Sequence, residues 1–283
     1  MDSVFHRADL AEDMSSRLLD PPPTSSVRSG LFLAAPRRTG KTTFLRRDLV
    51  PALENGGALV LYVDLWQERD ADPGEVITTA VAAALEKRDG AIRRLARRVA
   101  TLEEVSVGSV SIALGAAEQG TAGVSLTDAL EALSADADRV IVLIVDEAQH
   151  LRPEVLEDLR LLTNYEMDSE NRLCVLFVGL TELRRRLSLG VHESLDQRIV
   201  VRFHLGGLEH EELPAYLAHR LRAASCELPL FEPPAIEAIF QASRALPRRI
   251  NRLAHYALTA AAIEGVRSVS AEHVGLALAE SGA

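Results

Sequence analysis

The sequence predicts a three-layer α/β domain built on a five-stranded parallel sheet, followed by a small all-helical domain. Two uninterrupted apolar runs, 140–145 and 173–178, have the length and composition of strands covered on both faces. Short β-rich runs alternate with helical patterns from residue 30 to residue 205. After Leu205 the strand patterns stop and four helical patterns follow, as expected for an α/β unit succeeded by a helical one.

The elements follow in order. Residues 1–29 read as a helical arm and linker, with a helix over about 8–19 that ends before Pro21-Pro22-Pro23. Residues 30–34 are a short buried strand, and a helix from Lys41 to about Leu53 follows a turn. Residues 58–65 form the next strand, and helical patterns cover 73–87 and 91–99. Residues 105–114 alternate apolar with small polar residues and are broken once at Gly108-Ser109, which predicts an inserted strand or hairpin. The inserted segment, about 103–123, ends in a stretch rich in small residues, and 125–134 is helical in pattern. Strands at 140–145, 173–178 and 199–205 complete the sheet, with a short helix at 181–187. Helices over 209–224, 233–243, 248–264 and 271–280 make up the final domain. The expected division is 30–206 for the α/β domain and 207–283 for the helical one.

Composition sets outer bounds. The 283 residues are 47% hydrophobic and 25% charged, so a sizeable core can form. Aromatics are only 4%, which leaves Leu, Val, Ile and Ala to fill it. The net charge of −10 argues against a surface that is basic throughout, although a local basic patch stays open. Cys174 lies in an apolar run and reads as a small core residue; neither it nor Cys226 belongs to a disulfide framework or metal-ligand spacing. The N-terminus has early acids and no apolar leader core, and no run approaches the ~18 apolar residues of a membrane span. A cytoplasmic protein is expected.

The chemistry concentrates in two segments. Ala35-Pro36-Arg37-Arg38-Thr39-Gly40-Lys41-Thr42-Thr43 fits the pattern G-x-x-x-x-G-K-[ST], with Ala35 in place of the first Gly. It lies between a strand and a helix, where its backbone N–H groups and the helix N-terminus can cradle phosphates. Lys41 would reach the outer phosphates and the Thr42 hydroxyl would ligate Mg2+. The second segment is the apolar run 140–145 closed by Asp146-Glu147. A carboxylate at the C-terminal end of a central strand faces the crevice where open α/β sheets bind ligands. Asp146 would hold Mg2+ and Glu147 would orient the attacking water. Alone, the second segment is equally an ordinary strand ending in solvated acids.

Together these residues resemble the AAA+ ATPases of the group that includes origin-recognition ATPases, secretion ATPases of ExeA type and transposition ATPases of TniB and MuB type. The likeness covers about residues 28–265. It extends through Asp146-Glu147-Ala148-Gln149-His150-Leu151, 178–184, Leu195-Asp196-Gln197-Arg198-Ile199 and 245–253. The resemblance implies ATP and Mg2+ as ligands; no guanine-reading Asn-Lys-x-Asp segment is present. It places Arg198 as an arginine finger offered to a neighbouring subunit, whose guanidinium would stabilise phosphoryl charge. It also implies a lid sensor at Arg248, with Arg249 beside it as the alternative, and a first sensor whose nearest hydroxyl is Thr181. The loop residues Pro36, Arg37, Arg38, Thr39, Gly40, Lys41, Thr42 and Thr43 would line the nucleotide.

The reading that follows is an ATPase that hydrolyses MgATP between self-assembled subunits, in a ring or filament, to drive or switch a protein partner. A DNA-associated adaptor of the transposition-targeting type is the second reading. Arg93, Arg94, Arg97 and Arg98, or Arg184, Arg185 and Arg186, could serve it, yet the acidic balance does not indicate DNA, and a solvated face explains such clusters equally well. A nucleotide-binding scaffold or signalling ATPase without remodelling activity is the third. Gln149 and His150 could couple the site to a partner or be structural. The 103–123 insertion is a candidate contact surface or a plain surface hairpin.

Overall fold

The computed structural model describes residues 4–20, 31–35, 39–67, 71–87, 111–112, 124–125, 129–130, 132–133, 139–162, 173–189, 193–196, 199 and 201–281. In chain order the elements are α1 (Ala8–Leu19), β1 (Leu31–Ala34), α2 (Lys41–Phe44), a π-helical turn (Leu45–Leu49), α3 (Val50–Asn55), β2 (Leu59–Asp64) and α4 (Pro73–Glu86). Then come β3 (Ser111–Ile112), β4 (Val124–Ser125), β5 (Ile141–Asp146), a 3-10 turn (Ala148–His150), α5 (Pro153–Leu162), β6 (Leu173–Gly179), α6 (Thr181–Leu187), α7 (Glu193–Asp196) and β7 (Val201–His204). The C-terminal helices are α8 (Glu212–Ala223), α9 (Pro233–Ser243), α10 (Pro247–Glu264) and α11 (Ala271–Ser281). By its contacts the chain forms two compact units, neither continuous in sequence. One comprises Met1–Arg7, Ala35–Arg47 and Leu205–Ala283, and the other Ala8–Ala34 and Asp48–His204.

The second unit holds the five-stranded sheet, in the order β2-β5-β6-β1-β7 with every pairing parallel. All six residues of β5 are buried, which is why that strand reads as a continuous apolar run instead of an alternating one. The pleat divides its side chains. Ile141, Leu143 and Val145 join Val175 and Phe177 of β6 and pack with Ile77, Val81 and Leu85 of α4, Leu156 and Leu159 of α5, and Leu183 and Leu187 of α6. Val142, Ile144, Cys174 and Leu176 alternate with these and are buried too, so Cys174 is a core residue as expected. Helix α1 buries Ala11, Met14, Ser15 and Leu18 at helical spacing and packs on α3, which contacts β2. It is therefore part of this unit's packed body.

Two local features depart from the sequence expectation. The helical run after Gly40 is not uniform: its middle turn, Leu45–Leu49, is π-helical. Pro51 follows at the start of α3, and a wider turn before it relieves the crowding of its ring against the carbonyl four residues back. The second departure is at Val124–Ser125, which forms a strand paired antiparallel with Ser111–Ile112, so Ser125 does not begin a helix. Ser111–Ile112 falls in the segment expected to hold an inserted strand, but its partner strand lies beyond that segment; the rest of 103–123, and the expected 91–99 helix with Arg93, Arg94, Arg97 and Arg98, lie outside the described residues.

In the first unit, α8 to α11 enclose a core of Leu213, Tyr216, Ile239, Ile250, Leu253, Val269 and Val274. Ala254, Ala257 and Ala261 lie on the buried stripe of α10. Phe5 packs edge-on against Tyr216 at 5.3 Å, and Arg7 donates from Nε and Nη2 to both carboxylate oxygens of Glu212 at 3.1 Å. No helix among the described residues is long and apolar enough to cross a membrane.

Candidate nucleotide site

Strand β1 ends at Ala34, and the chain passes directly into the segment that carries the glycine-lysine-threonine signature. Ala35, at the place of the motif's first Gly, is fully buried and is not among the described non-glycine residues with positive φ. Its side chain is thus accommodated as a core methyl. Gly40 is different: it takes φ 85, ψ 16, the left-handed region, and a Cβ there would touch nothing within 4 Å. The backbone angle, not space, requires glycine at this point. As N-cap of α2 it offers no side-chain hydrogen bond of its own. A helix start of this kind attracts anions. Thr39 and Lys41 are buried, Lys41 to 7% exposure, whereas Thr42 and Thr43 are exposed. Pro36, Arg37 and Arg38 lie outside the described residues.

The carboxylates stand at the C-terminal edge of the sheet. Asp146 is 0% exposed, and a polar group buried that deeply needs partners. Tyr62 of β2 donates its hydroxyl to Asp146 Oδ2 at 2.8 Å, and the Glu147 N–H donates to Oδ1 at 2.8 Å. Parallel pairing of β2 with β5 sets Tyr62 opposite Ile144, two residues back, within reach of the aspartate. Glu147 has φ 57 and ψ 36, one of four described non-glycine residues with positive φ. An L-residue in this region carries about 1–2 kcal/mol of strain. Gln149, in the 3-10 turn, donates Nε2–H to Glu147 Oε2 at 2.5 Å and accepts the Leu180 N–H on Oε1 at 3.3 Å.

Thr181 opens α6 directly after β6 and is exposed, while Leu180 before it is buried. Asp146, Glu147 and Thr181 are therefore gathered at one end of adjacent strands within one unit. Thr39, Gly40, Lys41, Thr42, Thr43 and Arg248 belong to the other unit. Arg248 and Arg249 lie in the first turn of α10 after Pro247; both are exposed, and neither forms an ion pair among the described residues. Arg198 lies outside the described residues.

Sequence reasoning missed Tyr62, whose role depends on strand register and leaves no local signal. It also grouped Arg186 with a solvated or DNA-facing cluster. Arg186 is half-buried and donates to the backbone carbonyls of Gln149, at 3.0 Å, and Leu151, while Arg184 and Arg185 remain exposed.

Strand order β2-β5-β6-β1-β7, with a helix opened by Gly40-Lys41-Thr42 immediately after β1, is the P-loop nucleotide-binding fold. Within that class the chain belongs to the AAA domain family, whose profile matches residues 25–187, more than half of the sequence. General secretion pathway protein A of Aeromonas hydrophila is 42% identical over 139 residues, which is 49% of this chain but only 25% of that protein. Among solved structures, the ORC2 protein of Aeropyrum pernix in its ADPNP-ADP complexes superposes with a TM-score of 0.58 at 17% identity, over 98% of this chain and 68% of that one. Cdc6p of Pyrobaculum aerophilum gives 0.54 at 16% identity, over 97% and 67%. At such identities these two structures speak for the fold alone.

Proposed function

We propose that this chain binds and hydrolyses MgATP between self-assembled subunits to drive or switch a protein partner. The observation that carries the reading is the end of β5: Asp146 buried and held at both oxygens, followed by Glu147 in a strained left-handed turn. Strain of this kind persists where surrounding structure enforces it, and it concentrates at functional sites.

The residues suit a magnesium nucleotide. Gly40 leaves its side free of any Cβ, Lys41 brings a cation, and Thr42 and Asp146 bring oxygen donors of the hard type that Mg2+ selects. Bound Mg2+ would supply stabilisation of phosphate charge. In this reading Lys41 and the N–H groups of the loop from Pro36 to Thr43, Arg37, Arg38 and Thr39 among them, hold the phosphates. Thr42 and Asp146 hold the metal, Tyr62 keeps the Asp146 carboxylate oriented, and Glu147 orients and polarises the attacking water. Thr181 and Arg248 sense the terminal phosphate, and Arg198 acts on the neighbouring subunit's site. The adenine preference draws on the family and on the ADPNP-ADP complexes of the ORC2 protein. The secretion-pathway name of the 42% identical relative does not supply a client, because three quarters of that protein lies outside the match.

Steady-state phosphate release and nucleotide binding test this. Glu147→Gln should bind ATP with parental affinity and lose turnover by about 10²–10⁴-fold, the worth of a general base. Lys41→Ala should lose binding itself. Parental turnover by Glu147→Gln would sink the hydrolytic assignment and leave a nucleotide-binding scaffold. Stimulation by duplex DNA, lost on replacing the exposed Arg184 and Arg185, would move the adaptor reading ahead.

A further inference from the structure

Gln149 makes a connection that the roles above do not use. Its side-chain amide spans two neighbouring strand ends, with Nε2 on the Glu147 carboxylate and Oε1 on the Leu180 N–H. The polarity is forced: a carboxylate oxygen only accepts and a backbone N–H only donates, so the amide has one orientation that satisfies both ends. The backbone beneath it is clamped as well, because Arg186 from α6 donates to the carbonyls of Gln149 and Leu151. Room for the amide comes from Gly179, where a Cβ would lie 3.0 Å from Gln149 Oε1 and 2.8 Å from Leu183 Cδ2. Two strand ends thus meet on one side chain, Glu147 after β5 and Leu180 after β6, while α6 holds the backbone of the turn that carries it. None of this is required by packing, since an apolar residue of similar length would fill the space without linking anything.

We infer that Gln149 is a positioning residue for ATP hydrolysis. Its amide fixes the Glu147 carboxylate to the end of β6, so that a displacement of Leu180 and Thr181 is passed to the group that orients the attacking water. This rests on the reading of Glu147 as the water-orienting carboxylate. The left-handed turn at Glu147 fits the same picture, since it turns the chain back so that residues 147 and 149 present their side chains to each other.

The test uses the full chain and four variants: Gln149→Met, which keeps length but removes both hydrogen bonds, Gln149→Glu, Arg186→Met and Glu147→Gln. Turnover at saturating MgATP, nucleotide Kd and Tm are measured together. Gln149→Met is expected to lower kcat about ten- to a hundredfold, the usual cost of misplacing a reacting group by about an ångström, with Kd within about twofold of the parent. Gln149→Glu should be at least as slow near neutrality, with a carboxyl set against a carboxyl. Arg186→Met should give a smaller loss of the same kind. Parental kcat in Gln149→Met, while Glu147→Gln is inactive, would overturn the positioning role and leave the catalytic assignment standing. Equal losses of kcat and nucleotide affinity with a lowered Tm would also overturn it, showing a structural strut. Undiminished turnover in Glu147→Gln would remove the reading on which both depend.

Discussion

Glu147 holds an L-residue where glycine is the comfortable choice, and its neighbours show why it stays there. Its N–H is bound to Asp146 Oδ1, and its carboxylate meets the Gln149 amide two residues on. The strain and the function therefore separate in a single substitution. Glu147→Gly should abolish hydrolysis yet raise stability by about 1 kcal/mol, since it removes the left-handed penalty. For a chain of this size that is about 2–4 °C in Tm. A fall in Tm of that size would mean that the turn at 147 carries no strain worth relieving. At this scale the sequence was readable where a residue's job is local. Gly40 could be read because its left-handed angle is part of a contiguous motif. Tyr62 and Arg186 could not, because each acts on a partner brought near by strand register or by the turn after β5, and isolated Tyr or Arg residues carry no mark of that; Gln149 stood out beside the acidic pair, but its partners did not.

Among elements, the buried strands were the most legible part of the fold, because β5 and β6 are covered on both faces and so need unbroken apolar runs. The π-turn before Pro51 and the short β4 were not, since one depends on a single ring-carbonyl clash and the other on a partner strand. The joint between α9 and α10 was also silent in sequence, and it is tightly built. Arg244 and Ala245 are both left-handed, at φ 52 and 57. The Leu208 N–H donates to the Ala245 carbonyl at 2.8 Å, and a Cβ on Gly207 would lie 2.5 Å from that same oxygen. Gly207→Ala must therefore displace backbone and should cost about 2–3 kcal/mol, the upper range for overpacking. Ala245→Gly should gain about 1 kcal/mol by relieving its φ. Thermal unfolding of the two variants should shift in opposite directions; a neutral Gly207→Ala would refute the close approach. The tie between the start of α8 and α9 gives a pH signature. His210 Nε2 lies 2.6 Å from Glu237 Oε2; this hydrogen bond holds the histidine above its ordinary 6.5 and, with help from Gln241, the glutamate below its ordinary 4.5. The histidine part of the stabilisation is complete below 6.5 and is lost as pH rises through the raised value. The glutamate part is complete above 4.5 and is lost as pH falls through the lowered one. Both groups are exposed, so the effect is small. The Tm difference between parent and Glu237→Gln should be greatest between the ordinary glutamate and histidine values, 4.5 and 6.5, and fall away as pH rises through the raised histidine value. A difference that persists at pH 9 would assign it to the hydrogen bond from Gln241 Nε2 to Glu237 Oε1.

For the whole molecule the remaining question is whether the site is complete in one chain. A guanidinium aimed at transferring phosphate is worth about 10³–10⁵ in rate, and Arg198 is the residue that the family pattern assigns to this task. A finger offered to a neighbour works only if the same two unlike surfaces meet repeatedly, head to tail, in a ring or filament. Such a protein should show specific activity that rises with its concentration. Arg198→Ala should be nearly inactive while keeping nucleotide affinity, because its own phosphate-binding residues are intact. Glu147→Gln is inactive for the opposite reason: it has a sound finger and a dead site. Mixed together, the two should regain activity, since at some junctions the finger of a Glu147→Gln subunit faces the intact carboxylate of an Arg198→Ala subunit. No exchange within one chain can produce that recovery, so it separates a shared site from a merely oligomeric protein. If activity per chain is flat with concentration and the mixture stays dead, the site is completed within one chain or by a different partner. Arg198 would then have no part in hydrolysis.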